Sequence, residues 1–372
     1  MIIDDSVLLP KNNNLTAVRV LLASAVIWTH SIWNRTGVGG EDQVSGLFGQ
    51  SLSTFAVDGF FFLSGFLVYG SLLRRANVGD FLFARFARLW PALAISVILT
   101  VMAGFFLTSS SRSSYLAGAT LKFIASNLSL TFASFSLTGV RCGGTLCNVN
   151  GSLWTIPWEV RCYLLLAFLS LLGLARPKAM LLLILPATLC FALIMHVPYI
   201  EWRLEKLVGH SGFYNLKLID RLWVMFALGI GAYLARQRMT LRWWPLLPMF
   251  GLMIYVNAFG RVIPHLAHVS TALLVLDLGF LSARRGAISG DWPDYSYGIY
   301  VYAFPVMMAV AAVGSRLTAP ALAGFTLLAS LPLAALSWHF LEAPALTLAR
   351  RFRISKAEKL RPGRREHEAN AV

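Results

Sequence analysis

Long apolar runs, broken by short polar and basic clusters, set the rhythm of this chain. Ten runs have helical length: residues 16–34, 55–73, 90–108, 153–174, 179–197, 218–235, 243–259, 266–283, 296–314 and 320–341. A helix rises about 1.5 Å per residue, so about 20 residues cross a ~30 Å hydrocarbon core. Several runs are near that length, and the seventh and eighth are short. Backbone polar groups in lipid must be satisfied within the protein, which favours helices for such runs. The pattern predicts an all-α polytopic membrane protein with about ten transmembrane helices.

The polar breaks alternate between richer and poorer in basic residues. Lys11, Arg74, Arg75, Arg85, Arg88, Arg176, Lys178, Arg236, Arg238, Arg242, Arg284, Arg285 and the tail from Arg350 to Arg365 share one side. The positive-inside rule makes that side cytoplasmic, with both termini on it. The other side holds Arg112, Lys122, Arg141, Arg203, Lys206, Arg261 and Arg316. Within the long outer stretch 109–152, residues 115–135 read as a helix lying on or dipping into the membrane, because an eleventh crossing would break the alternation. The expected organisation is one transmembrane domain, 1–349, and a basic cytoplasmic tail, 350–372, lying along anionic lipid headgroups or disordered. The N-terminus lacks the basic region and small-residue site of a cleavable signal.

Composition strengthens this reading. Of 372 residues, 57% are hydrophobic and 13% charged, against about 25% charged in soluble domains. The net charge of +15 follows the topology, so membrane lipids and not nucleic acid are the expected partners.

Candidate chemistry begins in the first run. Arg19 and His30 are eleven residues apart, about three turns, so they share a face ~16 Å apart along the axis. In RFARLWP, Arg85 and Arg88 share a helix face, and paired guanidinium groups suit a phosphorylated ligand. Glu159 lies about two turns into the fourth run. It reads either as a functional acid or as a structural ion pair with Arg161 or another helix. Its depth would let it meet His30 and orient that imidazole. Asp58 reads as interfacial, Asp220 and Arg221 as a local pair, and Asp277 as a buried acid with a polar partner. Gly59, Ser64, Gly65 and Gly70 read as a packing face. His196, His210, His265, His268 and His339 fit ordinary interfacial roles, and the tyrosines of DYSYGIYVYAFPV an aromatic belt or a ligand wall. Cys162 and Cys190 fit small apolar packing, and Cys142 with Cys147 fits an outer disulfide. Zinc fits those two less well, since no further Cys or His stands close by in sequence to complete a site.

Arg19 with His30, VDGFFFLSGFL, RFARLWP, SLWTIPWE, and SYGIYVYAFP with WHFLEAP, in that order, resemble the acyltransferase-3 family of integral membrane acyltransferases. The resemblance spans roughly residues 14–350. It implies ten helices in the inner (cytoplasmic) membrane. It also implies transfer of an acyl group, commonly acetyl, from cytoplasmic acyl-CoA to a hydroxyl of an extracytoplasmic or lipid-linked glycan. Acyl-CoA (acetyl-CoA) enters as co-substrate, with no permanently bound cofactor and no metal. On that reading Arg85 and Arg88 bind the donor phosphates, Arg19 guides the donor, His30 is the general base or an acyl carrier, and Glu159 orients it. Many family members carry a histidine where Ala303 stands, which argues against a catalytic role for that position here. Some also carry a hydrolase-like domain, for which this chain has no room. The competing reading is a transporter or flippase of a glycan or lipid-linked intermediate. It lacks support from an inverted repeat or from matched broken helices. The other well-known type of membrane O-acyltransferase has its intramembrane His late in the chain, unlike His30.

Overall fold

The computed structural model describes residues 2–359 apart from Val38, Gly40, Ala76, Gly143, Gly144, Cys147, Val262, Pro264 and Asp291. Among the described residues the regular structure is helical except for a two-residue antiparallel pairing of Arg141–Cys142 with Thr145–Leu146. In order, the principal helices are α1 (Leu15–Thr36), α2 (Leu52–Leu73), α3 (Val78–Leu107), α4 (Ala119–Leu128), α5 (Thr155–Leu171), α6 (Pro177–Ile194), α7 (Pro198–Ala235), α8 (Leu246–Ala258), α9 (Leu266–Leu281), α10 (Ser296–Val313) and α11 (Ala319–Phe352). Among the described residues, seven of these (α1, α2, α3, α6, α7, α10 and α11) are long and apolar enough to cross a membrane. The shorter α5, α8 and α9 occupy the other three expected runs.

Burial separates the centre from the lipid-facing rim. In α2, 72% of the apolar window is buried, against 11% in α6, whose Leu181, Leu182, Leu183, Leu189 and Leu193 face outward. The small residues of α2 explain its position. A Cβ on Gly65 would lie 1.9 Å from the Phe226 carbonyl oxygen, and one on Gly229 would lie 2.1 Å from that of Phe62. The backbones of α2 and α7 therefore touch at two reciprocal glycines, as close membrane-helix packing requires.

Several expected boundaries move. α3 begins at Val78, capped by the Asn77 side chain on the Asp80 amide at 2.8 Å, so the helix face shared by Arg85 and Arg88 is part of the membrane helix expected only from residue 90. Residues 198–217, expected as loop, are helical and join α7 across a break at Gly209, whose φ of +73° is readily reached only without a Cβ. The surface helix expected over 115–135 ends at Leu128, and Leu130 follows with φ +61°. Beyond Phe352 the helix continues to Lys359, past the expected tail boundary at 350; residues 360–372 lie outside the described residues. The Cys142–Cys147 pairing also falls outside them, because Cys147 is not described. Cys162 and Cys190 are free.

Asn14 pins the basic end. Its side chain donates to Ser282 Oγ at 2.7 Å and accepts from the Ile288 amide at 2.7 Å. At the opposite end Asp42 ties Thr29 of α1 to the start of α2, accepting from Thr29 Oγ1 at 2.5 Å and from the Leu52 amide at 2.9 Å. These clamps set the register of α1 against its neighbours, and with it which of their residues Arg19 and His30 meet.

Candidate functional site

A cavity of about 130 Å³ follows one face of α2. Val57, Phe60, Phe61, Ser64, Leu67 and Val68 line it at helical spacing, over ~16 Å of axis. Its charged end is built by Arg19, Arg85 and Arg88, and its other end by Thr155 and Tyr300.

The three arginines differ in how they are held. Arg19 Nη1 donates to Asp294 Oδ2 at 2.8 Å and Arg88 Nη2 to the same oxygen at 2.5 Å. Arg88 Nη1 reaches Glu342 Oε2 at 3.2 Å, and its guanidinium lies over the Tyr297 and Trp338 rings. Asp294 and Glu342 are buried, and each has a further hydrogen bond, to Ser296 and Ser337. Arg88 is therefore a strut that joins α3 to α11 and to the segment before α10. Arg85 is different: its Nε is buried with no hydrogen-bond partner. Of the two arginines expected to share a phosphorylated ligand, Arg88 is engaged by two carboxylates, whereas Arg85 keeps an unpartnered Nε. Burial pushes the Asp294 carboxyl up, but Arg19, Arg88 and the hydrogen bonds from Ser296 outweigh it and hold its pKa at about 2.

Midway along the cavity Glu159 of α5 accepts from Ser64 Oγ at 3.2 Å and from the Tyr163 hydroxyl. The local Arg161 pair does not form; Arg161 stacks on Trp158 and donates to the Thr131 carbonyl at 3.0 Å. Nor does Glu159 orient His30. The His30 Nδ1 is buried with no hydrogen-bond partner, and its ring packs edge-on against Trp33 and Phe304. Glu159, one turn into α5, projects towards α2, whereas His30 projects between α1 and α10, so the acid and the base of the sequence reading occupy different compartments.

His30 borders two small chambers. One is shared with Ser152, Phe304, Met307 and Thr326, and the other with Thr54, Trp154 and Arg221. Tyr300 lines both of these and the long cavity as well. Its hydroxyl donates to the Ser152 carbonyl at 3.0 Å and lies 2.7 Å from Thr155 Oγ1, while its ring meets Phe60 edge-on. Tyr300 is thus a partition between the arginine-ended cavity and His30.

Tertiary partners overturn other local expectations. Asp58 is fully buried, not interfacial, and pairs with Arg221 Nε at 2.7 Å, so Arg221 does not pair with its neighbour Asp220. Neither Asp277 carboxylate oxygen has a hydrogen-bond partner among the described residues. Asp294, Glu342, Tyr300 and Arg221 were not singled out as site residues in the sequence. The only signal for Asp294 is an acid at the mouth of an aromatic helix, on the side where arginines gather.

No solved structure matches the chain. It is 26% identical over 313 residues to an O-acetyl transferase of Shigella phage Sf6, covering 81% of this chain and 86% of that one. It is 25% identical over 367 residues to nodulation protein 10 of Rhizobium leguminosarum bv. viciae, covering 90% and 94%. The acyltransferase domain model of family 3 matches residues 12–339. With that match across nearly all of a bundle of apolar helices, the chain belongs to the acyltransferase-3 family of multi-pass membrane proteins.

Proposed function

We propose that this protein O-acylates a glycan, with acetyl as the group transferred and acyl-CoA as the donor, across the inner membrane. The observation that carries the reading is the ~16 Å cavity running from the arginines to the partition beside His30. In this reading the donor's phosphates dock at the cytoplasmic end on Arg85, whose Nε has no partner, while Arg19 and Arg88 shape the entrance. The pantetheine arm lies along α2, where Glu159, Ser64 and Tyr163 offer partners to its amides. The thioester reaches His30 when Tyr300 turns aside. An acceptor hydroxyl from the other side of the membrane meets it there.

The chemistry asked of His30 is general-base catalysis. The imidazole takes the hydroxyl proton as the oxygen attacks the thioester carbon. The C–S bond breaks, and the proton passes to the departing thiolate, so CoA leaves as the thiol and the glycan carries the ester. The apolar walls from Trp33, Phe304 and Met307 exclude water, which would otherwise hydrolyse the thioester. The O-acetyl transferase name of the phage relative supports acetyl and a hydroxyl acceptor.

The test is mass spectrometry of surface glycans from cells carrying wild type or His30→Ala, alongside acetyl-CoA binding to purified wild type and Arg85→Ala. The expected result is loss of the ester with normally inserted His30→Ala, and at least tenfold weaker acetyl-CoA binding by Arg85→Ala. An ester level unchanged in His30→Ala would sink the base. Failure of wild type to bind acetyl-CoA would sink the donor and favour a transporter.

A further inference from the structure

Outside the cavity and its chambers, three side chains from three segments converge at the end of the bundle opposite Arg19. His196 follows α6, Asp220 lies within α7, and His265 immediately precedes α9. One ligand atom from each lies within 4.8 Å of the other two. Asp220 is 3% exposed, and its Oδ1 has no hydrogen-bond partner. That oxygen lies 3.9 Å from His265 Nε2, and Oδ2 lies 3.8 Å from His196 Nδ1. A buried carboxylate oxygen facing imidazole nitrogens beyond hydrogen-bond reach is an uncompensated acceptor.

The His196 Nδ1 that faces Asp220 also lies 2.9 Å from the Ala192 carbonyl, which can only accept, so this nitrogen donates and Nε2 keeps its lone pair for a ligand. His265 Nδ1 lies 2.8 Å from His268 Nδ1, and its Nε2 lies 3.5 Å from the Ala192 carbonyl and 3.9 Å from Asp220 Oδ1; the tautomer in which Nδ1 donates to His268 leaves the Nε2 lone pair to a ligand in place of the long Ala192 contact. A histidine that donates one N–H to a carbonyl or another acceptor while offering the second nitrogen has the arrangement of a metal-ligating histidine.

We propose that His196, Asp220 and His265 form a zinc site with its fourth position open to solvent. Two imidazoles and one carboxylate suit zinc, whereas magnesium and calcium want oxygen ligands. Tetrahedral zinc with bonds of about 2.0–2.1 Å spaces its ligands about 3.3 Å apart, so the three groups close by about an ångström on binding. His196 and His265 side chains are 29% and 14% exposed, which leaves an entry path. The ion staples α6, α7 and the start of α9. It also braces the reaction chamber: His268 Nε2 lies 3.7 Å from Asp58, and Asp58 holds Arg221, which lines the chamber of His30.

The experiment uses full-length protein without a polyhistidine tag, stripped with a chelator and titrated with Zn²⁺ or Co²⁺. One zinc per chain is expected, with a thermal midpoint raised several degrees by Zn²⁺ and unmoved by Mg²⁺. The Co²⁺ form is expected to show the intense visible bands of a low-coordinate site. Asp220→Asn and His265→Gln should each weaken zinc at least tenfold, and His196→Gln serves where either fails to fold. A wild type that binds no zinc, or shows only the weak spectrum of hydrated Co²⁺, overturns the site and leaves a plain His–Asp contact. Folded variants that bind as wild type also overturn it. Since the readout is metal binding, its outcome is independent of the acyl-transfer reading.

Discussion

Replacing Asp294 with Asn tests the electrostatic frame of the cavity mouth most directly. One carboxylate oxygen there serves two guanidinium groups, Arg19 at 2.8 Å and Arg88 at 2.5 Å. Its folded pKa is about 2 against an ordinary 3.8. That gap, at about 1.4 kcal/mol per pH unit, corresponds to about 2 kcal/mol. The folded pKa is depressed, so this stability is present above pH 3.8 and is lost as pH falls through about 2. Asn removes the charge at similar volume and also leaves Arg19 with no ion-pair partner. Uncompensated buried charge costs about 3–5 kcal/mol, and Glu342 still offsets part of it at Arg88. We expect a loss of about 3 kcal/mol, or roughly 5 °C in thermal midpoint. The intrinsic fluorescence of the chain's 11 tryptophans can follow unfolding in detergent at each pH. The gap between wild type and Asp294→Asn should be full at pH 7 and should shrink as pH falls from 4 towards 2. Equal midpoints at pH 7 would refute the claim that Asp294 holds the two arginines, and a gap that persists undiminished at pH 2 would refute its electrostatic origin.

Three further outcomes follow from the packing. Gly65→Ala pushes a Cβ against the Phe226 carbonyl and should cost about 1–3 kcal/mol, whereas Gly251→Ala, with open space around it, should be neutral in the same melt. Arg221→Met strands the fully buried Asp58 and should cost about 3–5 kcal/mol; the double variant Arg221→Met with Asp58→Asn should recover most of it, and a double variant no better than the single would count against the pair. Tyr300→Ala removes the partition beside His30, so a cysteine placed at Met307 should react faster with a reagent applied from the arginine end; an unchanged rate would mean that Tyr300 does not separate the compartments.

The apolar periodicity determined the helices, because a segment that must satisfy its own backbone in lipid has little choice of structure. The pairing of Arg19 and His30 on one face is likewise a local property of a 3.6-residue turn. The small residues of the second run announced close packing, and Gly65 against Phe226 is its form. The partners of charges were not legible. Asp58 finds Arg221 163 residues away, and Arg88 finds Asp294 and Glu342 206 and 254 residues away. A buried charge takes whichever counter-charge the bundle brings to its depth, and sequence proximity suggested Glu159 with Arg161 and Asp220 with Arg221 instead. Depth and direction also separated Glu159 from His30. Equal distance from a helix end does not put two side chains in one compartment when Tyr300, bonded to Thr155 and Ser152, stands between the cavities they line. The sequence by itself determined where the apolar helices run and which residues are costly within them. Only the tertiary structure decided which of them meet, because meeting depends on helix rotation and register, set by glycine contacts and end clamps that no local pattern encodes.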